Sequence, residues 1–129
     1  MLTSLLLSLA VGATAPIPAP APAPAQLDYA AAKALADRDE AALPKVAADA
    51  LRSSQAGVLD RAASACRTEE SPEPFTVVLE LDDKGAITNH WRNAETGLAK
   101  CMEEKLTRQA FYIPAKAPFY VSFEVSFTP

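Results

Sequence analysis

Two cysteines, one histidine and the acidic pairs Glu69-Glu70, Asp82-Asp83 and Glu103-Glu104 are residues of this chain whose types and spacing could do chemistry. Cys66 and Cys101 lie far apart and form no C-x-x-C, so a thioredoxin-like redox pair is not expected. In an oxidising compartment they allow one intramolecular bridge, Cys66–Cys101; in a reducing one they would be two buried thiols. His90 stands beside Trp91, and neighbours on a strand face opposite sides. The pair therefore reads either as a ligand contact or as a core Trp beside a solvent His. Glu69-Glu70, Asp82-Asp83 and Glu103-Glu104 suggest paired carboxylates, but adjacent residues diverge on a strand or helix and are expected to be solvated charges. Ser, His and Asp are all present without a G-x-S-x-G nucleophile elbow. One His and two Cys fall short of the three or four ligands of most His/Cys metal sites. No catalytic residue, metal or cofactor is expected, and an enzyme built on His90 ranks last among the functional readings.

Composition narrows the partners. The chain has 129 residues, room for one domain and a tail. Half of it is hydrophobic, but 27 residues are Ala, which buries little surface, so the core is smaller than that share suggests. The net charge is −4, and the 12 Lys and Arg are scattered from Lys33 to Lys116. Nucleic acid and anionic membrane surfaces need concentrated positive charge and are not expected partners.

The N-terminus indicates export. Leu2–Val11 is apolar, with small residues after it, Gly12, Ala13, Thr14 and Ala15, as in a secretory signal over residues 1–15. Cleavage sites of the small-x-small kind occur at Ala13-Thr14-Ala15, where Pro16 hinders cutting, and at Ala23-Pro24-Ala25. The rival is an uncleaved inner-membrane anchor, yet Leu2–Ala15 would extend only about 21 Å as a helix against a bilayer core of about 30 Å. Pro alternates with Ala or Ile through Ala15–Ala25. That tract favours extended polyproline II and would reach roughly 34 Å, so residues 16–27 are expected to be a spacer.

The elements that would position any site follow. Residues 28–66 are rich in helix formers. Asp28 is expected to cap a first helix over Tyr29–Ala36 or slightly beyond. A second helix starts near Leu43–Pro44, and Gly57 is expected to bend or break it. Residues 67–129 carry eight of the nine aromatics. Phe75, Val77, Leu79 and Leu81 alternate with polar residues, except Val78, which marks a central strand. Asp82–Gly85 is a hairpin turn and Ala86–Arg92 a second strand. Leu98, Cys101, Met102 and Leu106 mark one face of a helix, with Glu103 and Glu104 on the other. Phe119–Phe127 alternates most clearly of all. The order predicts an α+β fold: N-terminal helices, then β-β-α-β, a three-stranded antiparallel sheet of order 2-1-3 with one face on the helices.

Several features recur in a recognisable order. Cys66 precedes a strand, Phe75-Thr-Val-Val-Leu-Glu-Leu81. Asp82-Asp-Lys-Gly85 follows, then Ala86-Ile-Thr-Asn89. Leu98-Ala-Lys-Cys101 opens the helix, and Phe111-Tyr-Ile-Pro114 comes after it. In this ordered set, residues Ser64 to Phe127 resemble the C-terminal domain of TonB-type energy transducers, in its cysteine-containing branch. The resemblance implies a domain that pairs an edge strand with a short segment of an envelope protein. Two departures stand out: the apolar start has no strongly polar residue of the kind a motor contact needs, and the spacer is short. The last strand lies at a sheet edge in order 2-1-3 and offers free main-chain groups for strand addition. Tyr120, Ser122, Glu124 and Ser126 are thus the expected binding residues. The expected partner is an envelope protein or peptide, with a homodimer through the same strand as a competing occupant. The leading reading is a periplasmic or secreted binding module; the second is an anchored transducer component in envelope transport.

Overall fold

The computed structural model describes residues 26–66 and 73–127. The signal segment, the spacer up to residue 25 and most of the Thr68–Pro74 loop lie outside the described residues. Three helices and three strands follow in the order α1 (Tyr29–Ala41), α2 (Lys45–Ala65), β1 (Phe75–Leu81), β2 (Ile87–Arg92), α3 (Gly97–Thr107) and β3 (Phe119–Val125). Both β2 and β3 pair antiparallel with β1, giving the sheet order β2-β1-β3. The α+β class and the central position of the first strand are as the sequence predicts. No described helix is long and apolar enough to cross a membrane.

Local chemistry sets the element ends. The Asp28 carboxylate accepts the Ala31 N–H at 2.8 Å and starts α1. α1 runs to Ala41, well past Ala36, so the acidic stretch Asp37–Glu40 is helical. Pro44 then opens α2, where its missing N–H costs nothing. α2 continues unbroken through Gly57, contrary to the expected bend. The Thr96 hydroxyl accepts the Ala99 N–H and starts α3. In the β1–β2 turn, Asp82 accepts from the N–H groups of Lys84 and Ala86. Gly85 sits at φ +80°, and a Cβ there would lie 2.5 Å from the Tyr112 carbonyl oxygen. Both the conformation and the close approach require glycine.

The sheet is covered on both faces, not one. Val77, Leu79 and Leu81 of β1, with Phe119, Val121, Phe123 and Val125 of β3, pack against α2 and α3. Val78 and Tyr120 face the other way and are buried under Ala32 and Ala36 of α1, with Trp91 at the margin. Tyr120, expected to point outward, is only 7% exposed. The second layer escapes a pattern reading because α1 makes it from alanines, whose small apolar contrast leaves little periodic signal.

Cys66, capping α2, is bonded to Cys101 in α3, with 5.7 Å between their Cα atoms. The bridge staples the two helices on one face of the sheet. It closes a loop with a sequence separation of 35, worth about 4 kcal/mol by chain entropy.

Two outcomes follow from this architecture. Replacing both cysteines by Ala should lower unfolding free energy by about 4 kcal/mol or less, read from urea denaturation of oxidised wild type and variant. Gly57→Ala should raise it by about 0.5–1 kcal/mol, because the added methyl meets nothing nearer than an Arg61 guanidinium nitrogen at 3.5 Å. A drop in stability for Gly57→Ala would show that α2 needs the glycine's freedom.

Candidate functional site: the outer edge of the last strand

The pairing register decides which groups of β3 face outward. Residues 119, 121, 123 and 125 lie opposite Leu81, Leu79, Val77 and Phe75. On the other side of β1, Thr76 exchanges bonds with Asn93, its main-chain oxygen accepting and its N–H donating to the side chain. Main-chain groups alternate sides along a strand. The even residues of β1 therefore serve β2, the odd ones serve β3, and Tyr120, Ser122 and Glu124 turn their own main-chain groups away from the sheet. The strand is at the edge, as expected.

That edge is not bare. The Tyr120 N–H donates to Asp39 of α1 at 3.0 Å. The Ser122 carbonyl accepts from the Gln55 side-chain amide of α2 at 2.9 Å. The Ser122 hydroxyl donates to Glu40 at 3.2 Å, and Lys33 lies 3.5 Å from the Glu124 carboxylate. α1 and α2 stand on opposite faces of the sheet and close over this edge like the jaws of a clasp. Between them runs a groove of about 310 Å³ lined by Lys33, Glu40, Leu51, Gln55, Ser122 and Glu124. Burial pushes the Glu40 carboxyl above its ordinary value, against the lowering effect of its bonds to Ser122. Of the four expected binding residues, Tyr120 is buried, Ser122 is half-buried, and Glu124 and Ser126 are exposed. Ser126 follows the strand's last residue, Val125.

Tyr120 also anchors the α1 face. Its hydroxyl donates to Glu80 at 2.6 Å, and its ring lies 6.0 Å from that of Trp91. Burial, with the carboxylate bond second, pushes the phenol up to about 12. Trp91 in turn donates its indole N–H to the Leu27 carbonyl at 2.6 Å.

His90, Glu103, Glu104 and Asp82 make contacts within the fold. His90 is exposed and faces away from Trp91, with Nδ1 3.4 Å from Glu103. Glu103 is buried, not solvated as expected, because Arg92 reaches it at 2.7 Å from β2. Arg92 also bonds Glu95, which raises the guanidinium and holds the Glu95 carboxyl below its ordinary value. Glu104 turns outward to Arg108, so Glu103 and Glu104 diverge. Asp82 is committed to its turn. Glu69 and Glu70 lie outside the described residues. Among the described residues no group of His, Cys, Asp and Glu could hold a metal ion.

The clasp residues Asp39, Glu40 and Gln55 were not foreseen. Their partners lie 81, 82 and 67 positions away in the chain. The run Asp37-Arg38-Asp39-Glu40 was the only local sign. Comparison with protein-family models, with curated proteins and with solved structures returns no match to this chain.

The phenol predicts an alkaline limit. An unfolded tyrosine ionises near 10, whereas Tyr120 holds its proton to about 12. The folded state thus binds more protons in this window, and its stability falls as pH rises from 10 to 12. At pH 8 Tyr120→Phe should cost about 1–3 kcal/mol through the bond lost at Glu80. That deficit should shrink above pH 10, read from denaturation curves of both proteins at each pH.

Proposed function

We propose that this chain is an exported, non-enzymatic binding module that takes up an extended segment of an envelope protein along the outer edge of β3. One observation carries the reading: Asp39 accepts from the Tyr120 N–H, and Gln55 donates to the Ser122 carbonyl. These side chains stand where a fourth strand would put its own acceptor and donor. A partner strand would replace like with like, so the exchange of hydrogen bonds is nearly neutral. Apolar contacts and side-chain selectivity then set the affinity. Glu124, at the margin of the clasp beside Lys33, and Ser126, past it, are exposed, which gives an incoming segment its first hold. The resemblance of residues 64–127 to the TonB C-terminal domain supports the same mode. Export rests on the signal-like residues 1–15, and their fate separates a free periplasmic module from an anchored transducer component. Mass spectrometry of the native chain reads that directly.

A second edge competes. Among the described residues, no helix side chain bonds the outward main chain of β2, where the His90 N–H meets only the side chain of its neighbour Asn89. The test uses decamer peptides selected from a displayed random library against the whole chain. Glu124→Pro removes one outward donor of β3 and His90→Pro one of β2; neither touches a bond to β1. Glu124→Pro should weaken the selected peptide about tenfold, one main-chain bond's worth, and His90→Pro should not. The reverse pattern would move the site to β2. Failure to select any peptide would overturn strand addition. Solution mass, measured in parallel, reads a homodimer formed through the same edge.

A further inference from the structure

We infer that α1 is a detachable latch: it closes the β3 edge with its side chains and opens as a unit, separately from the rest of the fold, to admit the partner strand. The inference rests on strand addition at β3 and adds how that edge is regulated.

The two faces of the sheet are held very differently. On one, α2 and α3 bury Leu51, Val58, Leu98, Met102 and Leu106, and the Cys66–Cys101 bridge joins them. Gln109 adds polar ties to Arg61 and Val58 of α2. On the other face α1 is the one helix among the described residues. Its only fully buried residues are Ala32 and Ala36, and its larger side chains, Tyr29 and Leu35, are half-buried. Apolar burial scales with area, so two alanines with half-buried Tyr29 and Leu35, and one indole bond to Leu27 ahead of the helix, hold α1 less firmly than large buried side chains hold α2 and α3. No covalent tie reaches α1 from the sheet, and residues 42–44 join it to α2 as a short connection able to act as a hinge. Segments with few apolar contacts and polar anchoring open at lower free energy than the core around them.

One of the bonds α1 gives up on leaving is a main-chain bond that a strand supplies: the Tyr120 N–H loses Asp39. The Ser122 hydroxyl also loses Glu40 and Glu124 loses Lys33, side-chain contacts beside the same edge that turn to water. Gln55 belongs to the stapled body and needs only a side-chain rotation to release the Ser122 carbonyl. The latch is therefore a single element, α1, and it competes directly with the partner for the Tyr120 donor. Its departure also uncovers Val78, Tyr120 and Trp91, an apolar strip beside the edge.

Amide hydrogen exchange on the intact chain tests the latch without any partner. α1 amides and the Tyr120 amide should exchange together, about 100-fold faster than those of Val121 and Phe123, which bond to β1. Ala34 is exposed on α1 and takes part in no clasp contact, so Ala34→Gly weakens the helix alone. It should speed exchange of the Tyr120 amide about fivefold and leave Val121 and Phe123 unchanged. The same substitution should tighten the library-selected peptide about fivefold, since less of the protein is closed. Tyr120 exchanging in step with Val121 and Phe123, or weaker peptide binding by Ala34→Gly, would overturn the latch. If the exchange pattern holds and no peptide is ever selected, the latch stands and strand addition fails. If peptides bind and Ala34→Gly does not tighten them, strand addition stands and the latch fails.

Discussion

Burial of β1 on both faces is the constraint from which the rest follows. Val77, Val78, Leu79 and Leu81 are all fully buried. A central strand apolar on two sides cannot leave either side to water, so a sheet of three strands needs two helical layers. Among the described residues, the large apolar side chains form one deep layer, with α2 and α3. The other is left to a helix of alanines. That economy sets the weak point of the fold and puts it beside the one sheet edge that α1 and α2 jointly close.

The edge shows how a small protein manages exposed strand groups. Charged residues and covering helices are common protections for an edge strand. Here the protection is specific: a carboxylate for an N–H, an amide for a carbonyl. Specific protection can be exchanged for a real strand, whereas a proline or a bulge at the same position could not. The β2 edge is treated differently. It carries a bulge between Glu80 and Leu81 of its partner register, and Thr88 bonds back onto Glu80 there. A bulge bends the strand and increases its twist, which disfavours pairing with a flat newcomer.

Much of this was legible in the sequence, for physical reasons that differ by element. Alternation over Phe75–Leu81 and Phe119–Phe127 gave both main strands, because a strand's period of two survives any tertiary context. The Asp82–Gly85 turn and the Asp28 cap were readable because they are local chemistry. Two cysteines left one intramolecular bridge. The α1 layer was not readable as a layer, since Ala32 and Ala36 resemble any helix surface. Helical spacing puts Glu103 on the face opposite Leu98, Cys101, Met102 and Leu106 and so in solvent; only the arrival of Arg92 from β2 allows its burial. The clasp was beyond reach, as three side chains of an ordinary helical region acquire meaning only once β3 is laid beside them.

The central claim is that β3 accepts a strand on its outward side. The most direct measurement is a set of amide chemical-shift changes when the isotope-labelled chain binds a selected peptide. A strand added to β3 predicts changes with a period of two: large at Tyr120, Ser122 and Glu124, small at Phe119, Val121 and Phe123. Changes confined to Thr88, His90 and Arg92, or spread over no strand at all, would contradict it.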